Sequence, residues 1–170
     1  TIDSNASGKY WHVIKLMGRD ASHVTLEVCL QSRPNACVLS EEISDYGWGL
    51  QDVIDYFATV ILERFDQGLP FGTIVFPEGI LDVIPEFRAL ISGDVGPVNQ
   101  LLETYGLVPI RPIDVQVDEH GNTNFSSIQT ETIILDILKA DVAKSLDSNG
   151  AVKFIEHFFG YTGRAEPPST

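Results

Sequence analysis

Short apolar runs alternate with longer amphipathic stretches along the whole chain. Trp11 to Met17, Ala36 to Ser40, Gly72 to Phe76 and Val152 to Phe159 have strand length and strand character, and helical spacing fills much of what lies between them. Two parallel strands cannot be joined by a tight turn and need a crossover, usually a helix. That rhythm restricts the fold to the α/β class, a three-layer lobe with a mostly parallel sheet.

The crossovers differ in clarity. Leu50 to Phe65 is the clearest helix, with Val53, Phe57, Val60 and Ile61 in helical phase and Gly68 closing it. Ala21 to Gln31 is ambiguous, because Val24 and Val28 fit a helix while Leu26 and Leu30 also allow a strand. It is read as a helix because a crossover is required there. Ile80 to Ile91 reads as a short helix broken at Pro85. Gly93 to Asn124 is the least regular stretch, punctuated by Pro97, Pro109, Pro112 and the turn His120-Gly121-Asn122. Ser126-Ser127-Ile128-Gln129 has capping-box spacing ahead of a helix carrying Ile134, Leu138, Val142 and Leu146.

The chain has 170 residues, with 24 Asp and Glu against 11 Lys and Arg and a net charge of −13. The size suits one domain or one lobe of a larger enzyme. So acidic a chain repels phosphate backbones and anionic lipid, so no nucleic acid and no membrane is expected as a partner. No run approaches the eighteen or so apolar residues that a bilayer demands. Cys29 and Cys37 have apolar neighbours and read as buried free thiols, which suggests the reducing cytoplasm. The N-terminus lacks a signal-peptide pattern, and the chain as a whole reads as an excerpt.

Three strands run into short motifs suited to one ligand: Met17-Gly18-Arg19, Pro77-Glu78-Gly79 and Gly160-Tyr161-Thr162-Gly163-Arg164. Ligands of open parallel sheets sit beyond the carboxyl ends of the strands, where all three fall. Gly18 and Gly163 admit close backbone approach. Arg19 and Arg164 can fork onto phosphate oxygens. Glu78 can accept from sugar hydroxyls. Taken singly, a glycine after a strand is a turn and an arginine is a surface ion-pair partner. Together they point to a polyol phosphate. His12, His23, His120 and His157 are scattered without ligand spacing, so no metal site is expected, and His12 and His157 read as satisfied strand residues. Glu41-Glu42 reads as a solvated strand end.

Lys9 to His23 (Lys-Tyr-Trp-His-Val-Ile-Lys-Leu-Met-Gly-Arg-Asp-Ala-Ser-His) resembles the signature of the long, diphosphate-dependent phosphofructokinases. Ser40-Glu41-Glu42-Ile43, Ile74 to Ile80, Ile128 to Glu131 and His157 to Arg164 resemble four further motifs of that family, in the same order. The resemblance implies a phosphofructokinase-like fold and a single fructose 6-phosphate-binding lobe over residues 1–170, part of a larger chain. It implies that Met17, Gly18 and Arg19 contact fructose 6-phosphate, with Arg19 also catalytic in steadying the transferred phosphoryl group. Glu78 would bind the sugar, and Tyr161, Gly163 and Arg164 the substrate's phosphate and sugar. Lys9 and Tyr10 would reach into the site of a neighbouring subunit. A separate donor-binding lobe would hold most of the Mg and the catalytic aspartate. Thr1-Ile2-Asp3 spells the family's catalytic motif but stands too close to Lys9 to serve as it. The implied activity is glycolytic transfer of a phosphoryl group from diphosphate to the 1-hydroxyl of fructose 6-phosphate, with the 170-residue chain inactive alone. A non-catalytic regulatory subunit of the family, an ATP-dependent 6-phosphofructokinase, and an α/β binding module without sugar chemistry remain open alternatives.

Overall fold

The computed structural model of the chain describes residues 10–16, 22–111, 130–146 and 152–158. Strand β1 (Tyr10–Leu16) leads to α1 (Ser22–Ser32), β2 (Ala36–Cys37), α2 (Ser40–Tyr46), α3 (Leu50–Asp66) and β3 (Gly72–Pro77). There follow α4 (Ile80–Val83), α5 (Pro85–Ile91), α6 (Gly96–Thr104), α7 (Thr130–Ser145) and β4 (Lys153–Phe158). The strands form one sheet in the order β2-β3-β1-β4, and every pairing is parallel.

This order divides the helices between the two faces. The step from β1 to β2 moves across the sheet in one direction, whereas the steps from β2 to β3 and from β3 to β4 move in the other. Right-handed crossovers therefore place α1 on one face and α2 to α7 on the opposite one. The contacts agree: α1 lies against β3, and α3 packs along α7. The thick side holds the core. Trp11, Val13, Ile74 and Phe76 project from the sheet into it and meet Phe57 and Ile61 of α3 and Ile134, Leu135 and Leu138 of α7. Strand β3 is buried along its whole length, as a central parallel strand covered on both faces must be.

The expected helix at 50–65 is present as α3, with Leu50, Val53, Ile54, Phe57, Ala58 and Ile61 as its buried stripe. Its first turn is satisfied twice: the Gly49 N–H donates to Asp52 Oδ2 at 2.8 Å, and the Leu50 N–H donates to Glu86 Oε2 of α5 at 3.0 Å. Gly68 follows it at φ +75°. The ambiguous stretch at 21–31 is helical.

Five expectations need correction. The strand at 36–40 stops at Cys37, and Ser40 opens α2, whose N-terminus is held by Glu42 Oε2 accepting from the Leu39 N–H at 3.2 Å. Glu41 and Glu42 are exposed, but in the first turn of a helix, where carboxylates complement the helix dipole. Pro85 starts α5 rather than merely breaking a helix, since a first-turn proline loses no hydrogen bond. The irregular stretch hides α6, which buries Val98 and Leu102 one turn apart with Pro97 in its first turn.

The fifth correction concerns the cysteines. Cys29 of α1 and Cys37 of β2 form a disulfide with their Cα atoms 6.8 Å apart. Arg33 (φ +47°) makes this possible: it turns the chain sharply at the end of α1, its N–H donating to the Cys29 carbonyl at 2.9 Å. The free-thiol ground for a reducing compartment falls with the pairing. Closing so short a loop contributes about 2–3 kcal/mol through the unfolded state. Reduction with a dithiol is expected to lower the unfolding free energy by about that amount, with two thiols appearing per chain in a thiol titration. Equal stability of the two forms would refute this.

Gly72 is the tightest point under the sheet. A Cβ there would stand 2.5–2.6 Å from the Trp11 ring and 2.6 Å from Asn35 Oδ1, while Asn35 Oδ1 accepts from the Thr73 N–H at 2.9 Å. Gly72→Ala must displace a fully buried indole. It should cost about 1–3 kcal/mol in urea unfolding and shift the tryptophan emission.

Candidate functional site

Because all strands are parallel, β3, β1 and β4 present their carboxyl ends side by side along one edge. Leu16, the last residue of β1, pairs with Pro77, the last of β3. Lys15 pairs with Phe158, the last residue of β4. Neighbouring strands lie about 4.8 Å apart, so the three ends span roughly 10 Å, the scale of one small polar ligand. Glu78 follows β3 directly and is tied across this edge, its N–H donating to the Leu16 carbonyl at 2.8 Å. Its own carbonyl accepts from the Leu81 N–H at 3.2 Å, closing the turn into α4, and the residue is half-buried.

Among the expected site residues, Glu78 is thus at the carboxyl edge. Tyr10 is not. It is the first residue of β1, paired with Lys153 at the amino end of the sheet, and the Lys153 ammonium stands 5.8 Å from the centre of its ring. Along a strand of this length Tyr10 and Glu78 are separated by about 20 Å, too far to share one small ligand within one chain. Lys9, Met17, Gly18, Arg19, Tyr161, Gly163 and Arg164 lie outside the described residues. So does the proposed cap at 126–129.

An ion pair at the same edge escaped the sequence reading. Lys15 Nζ donates to Glu131 Oε2 at 2.7 Å, both side chains being largely buried. Thr130 Oγ1 donates to the same oxygen at 3.3 Å. The pair pins the first turn of α7 beneath the end of β1, two residues before Met17. The legible signal was a charged residue on the core-facing phase of a buried strand, since Lys15 alternates with Trp11 and Val13. Farther along, Lys139 and Glu156 approach to 3.6 Å and hold α7 over β4 at the surface.

The opposite face of β1 and β4 carries two imidazoles. His12 Nδ1 and His157 Nε2 lie 2.7 Å apart with their rings nearly parallel, so the expectation that each is satisfied within the sheet holds. One ring must donate and the other accept, which requires at least one neutral imidazole. Burial above all, and next the neighbouring His157, hold His12 below the ordinary value of 6.5. A histidine with a depressed folded pKa binds fewer protons folded than unfolded, so its stabilising effect is present above pH 6.5 and is lost as pH falls through and below it. Unfolding titrations should show stability declining from pH 7.5 toward pH 5.5, the values chosen to bracket roughly one unit either side of the free imidazole. His12→Asn should flatten that slope, and an unchanged slope would exclude the pair as its source.

Among the described residues no three carboxylate, imidazole or thiol groups converge where a metal ion could be held. No helix among the described residues is long and apolar enough to cross a membrane.

No family model matches the chain. Curated relatives do. The chain is 34% identical over 199 residues to the pyrophosphate–fructose 6-phosphate 1-phosphotransferase of Porphyromonas gingivalis, a match covering 98% of this chain and 36% of that protein. It is 34% identical over 190 residues to the beta subunit of the Ricinus communis enzyme of that name, covering 99% of the chain and 34% of the subunit. It is 30% identical over 188 residues to the alpha subunit from Solanum tuberosum, covering 98% of the chain and 30% of the subunit. The chain thus spans about a third of the length of the curated relatives it matches.

Proposed function

Since the chain belongs over nearly its whole length to the pyrophosphate-dependent phosphofructokinase family, we propose that it is the fructose 6-phosphate-binding lobe of such an enzyme. The reading rests on one juxtaposition: the carboxyl ends of β3, β1 and β4 stand side by side, and each leads into one of the motifs suited to a sugar phosphate. Met17, Gly18 and Arg19 after β1, Glu78 after β3, and Tyr161, Gly163 and Arg164 after β4 form the pocket. Glu78 accepts from sugar hydroxyls, and Arg164 with Tyr161 holds the 6-phosphate.

In the reaction the 1-hydroxyl of the sugar attacks a phosphorus of diphosphate. The new P–O bond forms as the bridging P–O bond breaks, inorganic phosphate departs, and the hydroxyl proton passes to a base on the donor-binding lobe. Such transfers depend on positioning and on neutralising charge on the moving phosphoryl group. Arg19 supplies part of that neutralisation, and Mg belongs to the donor side. Tyr10, at the amino end of the sheet, serves with Lys9 the pocket of a neighbouring subunit, so the enzyme works as an oligomer. By itself this lobe binds and does not turn over.

Calorimetric titration of the chain with fructose 6-phosphate tests the reading. Saturable heat is expected, with affinity reduced about 10- to 100-fold in Arg19→Ala, the loss that follows from removing a charge-assisted hydrogen bond. Binding that is indifferent to both Arg19→Ala and Glu78→Ala would favour an α/β module without sugar chemistry.

A further inference from the structure

The core-facing phase of β1 runs Trp11, Val13, Lys15. The first two are buried in the apolar core, and a third apolar side chain would complete the stripe. Lysine stands there instead, its ammonium 2.7 Å from Glu131, with side-chain exposures of 19% and 13%. The same carboxylate oxygen accepts from the hydroxyl of Thr130, a buried residue. Taking opposite charges out of water costs about as much as their attraction returns, and apolar residues of similar volume serve stability equally well. Stability alone therefore gives no reason for the pair. What it offers over an apolar contact is direction, since a charge-assisted hydrogen bond fixes both partners to one geometry.

That geometry is applied at a particular point. Leu16, the next residue, ends β1, and its carbonyl accepts the Glu78 N–H at 2.8 Å. A short path thus runs from the first turn of α7 through Lys15 and the Leu16 peptide to the backbone of Glu78. Farther along α7, Lys139 and Glu156 stand 3.6 Å apart with side chains 44% and 35% exposed, where water and salt screen them. Of these two pairs, the one at the carboxyl edge is the close and buried one.

We propose that Lys15 and Glu131 are positioning residues. They hold the end of β1, and through the Leu16 carbonyl they hold Glu78, in the geometry that receives a sugar. The inference deepens the reading above and rests on it for the identity of the ligand, though not for the placement of Glu78.

The double variant Lys15→Met/Glu131→Leu of the 170-residue chain tests it, because removing both charges leaves neither one stranded. Its thermal midpoint should match the parent. Hydrogen exchange at the Glu78 amide should quicken about tenfold, while the amide of Phe57, buried in the middle of α3, exchanges as before. Fructose 6-phosphate should bind roughly 10- to 100-fold more weakly, the scale set by a displacement of about 1 Å. Glu131→Gln, which keeps the shape and removes the charge, should change both readouts in the same direction. Lys15→Arg keeps charge and donor and should stay near the parent, as should Lys139→Gln, about 12 Å farther along α7. Parental exchange at Glu78 in the double variant and in Glu131→Gln overturns the proposal. So does a loss of sugar affinity that only follows the thermal midpoint. A parent that binds no fructose 6-phosphate refutes the sugar reading, and exchange at Glu78 still decides whether the pair places that residue.

Discussion

Strand β1 is hydrogen-bonded in parallel on both sides, to β3 and to β4. Everything that bears on function hangs from that double pairing. Parallel ladders have evenly spaced, slanted bonds and no hairpin to fix their register. The register must come from side chains, and it does so on the core face. The Trp11 ring fills the space that a side chain at position 72 would take, and Lys15 is held from below by Glu131. A slip of β1 by one residue would turn Trp11 and Val13 out of the core formed with α3 and α7 and onto the other face of the sheet. The alignment of three strand ends on one edge is thus a consequence of how the opposite part of β1 packs.

The two faces of the sheet are supported unequally. The side bearing α3 and α7 closes a continuous apolar core. On the other side stand two hydrogen-bonded imidazoles, a buried threonine and a single helix whose leucines face outward. Polar groups buried in pairs add little net stability but penalise any arrangement that leaves one of them alone. The lightly covered face therefore contributes constraint more than it contributes driving force.

Much of this was legible in the residues. Strand-length apolar runs marked all four strands, and the period of Val53, Phe57 and Ile61 marked α3. What escaped reading shares a physical cause. Helices α2 and α6 bury only one or two apolar side chains each, too few to write a period into the sequence. The Cys29–Cys37 pairing depends on a left-handed turn at Arg33, which is neither glycine nor asparagine and so announces nothing. Lys15 pairs with a residue 116 positions away, a distance over which no local pattern extends. Of the expected site, the position of Glu78 followed from strand order alone, because a carboxyl end is fixed once the strand is. That Tyr10 stands at the far end of β1 was equally implicit in its place just before the apolar run.

Strand β2, at one end of the described sheet, is only two residues long. A longer strand there would leave a row of unpaired N–H and C=O groups on which another chain could template itself. Two residues offer too short a ladder for such growth, and the disulfide staples that stub to the helix above it. Crowded copies of this chain therefore have little opportunity on that side to zip together into fibrils. They can meet there only through side chains, in contacts that dilution undoes.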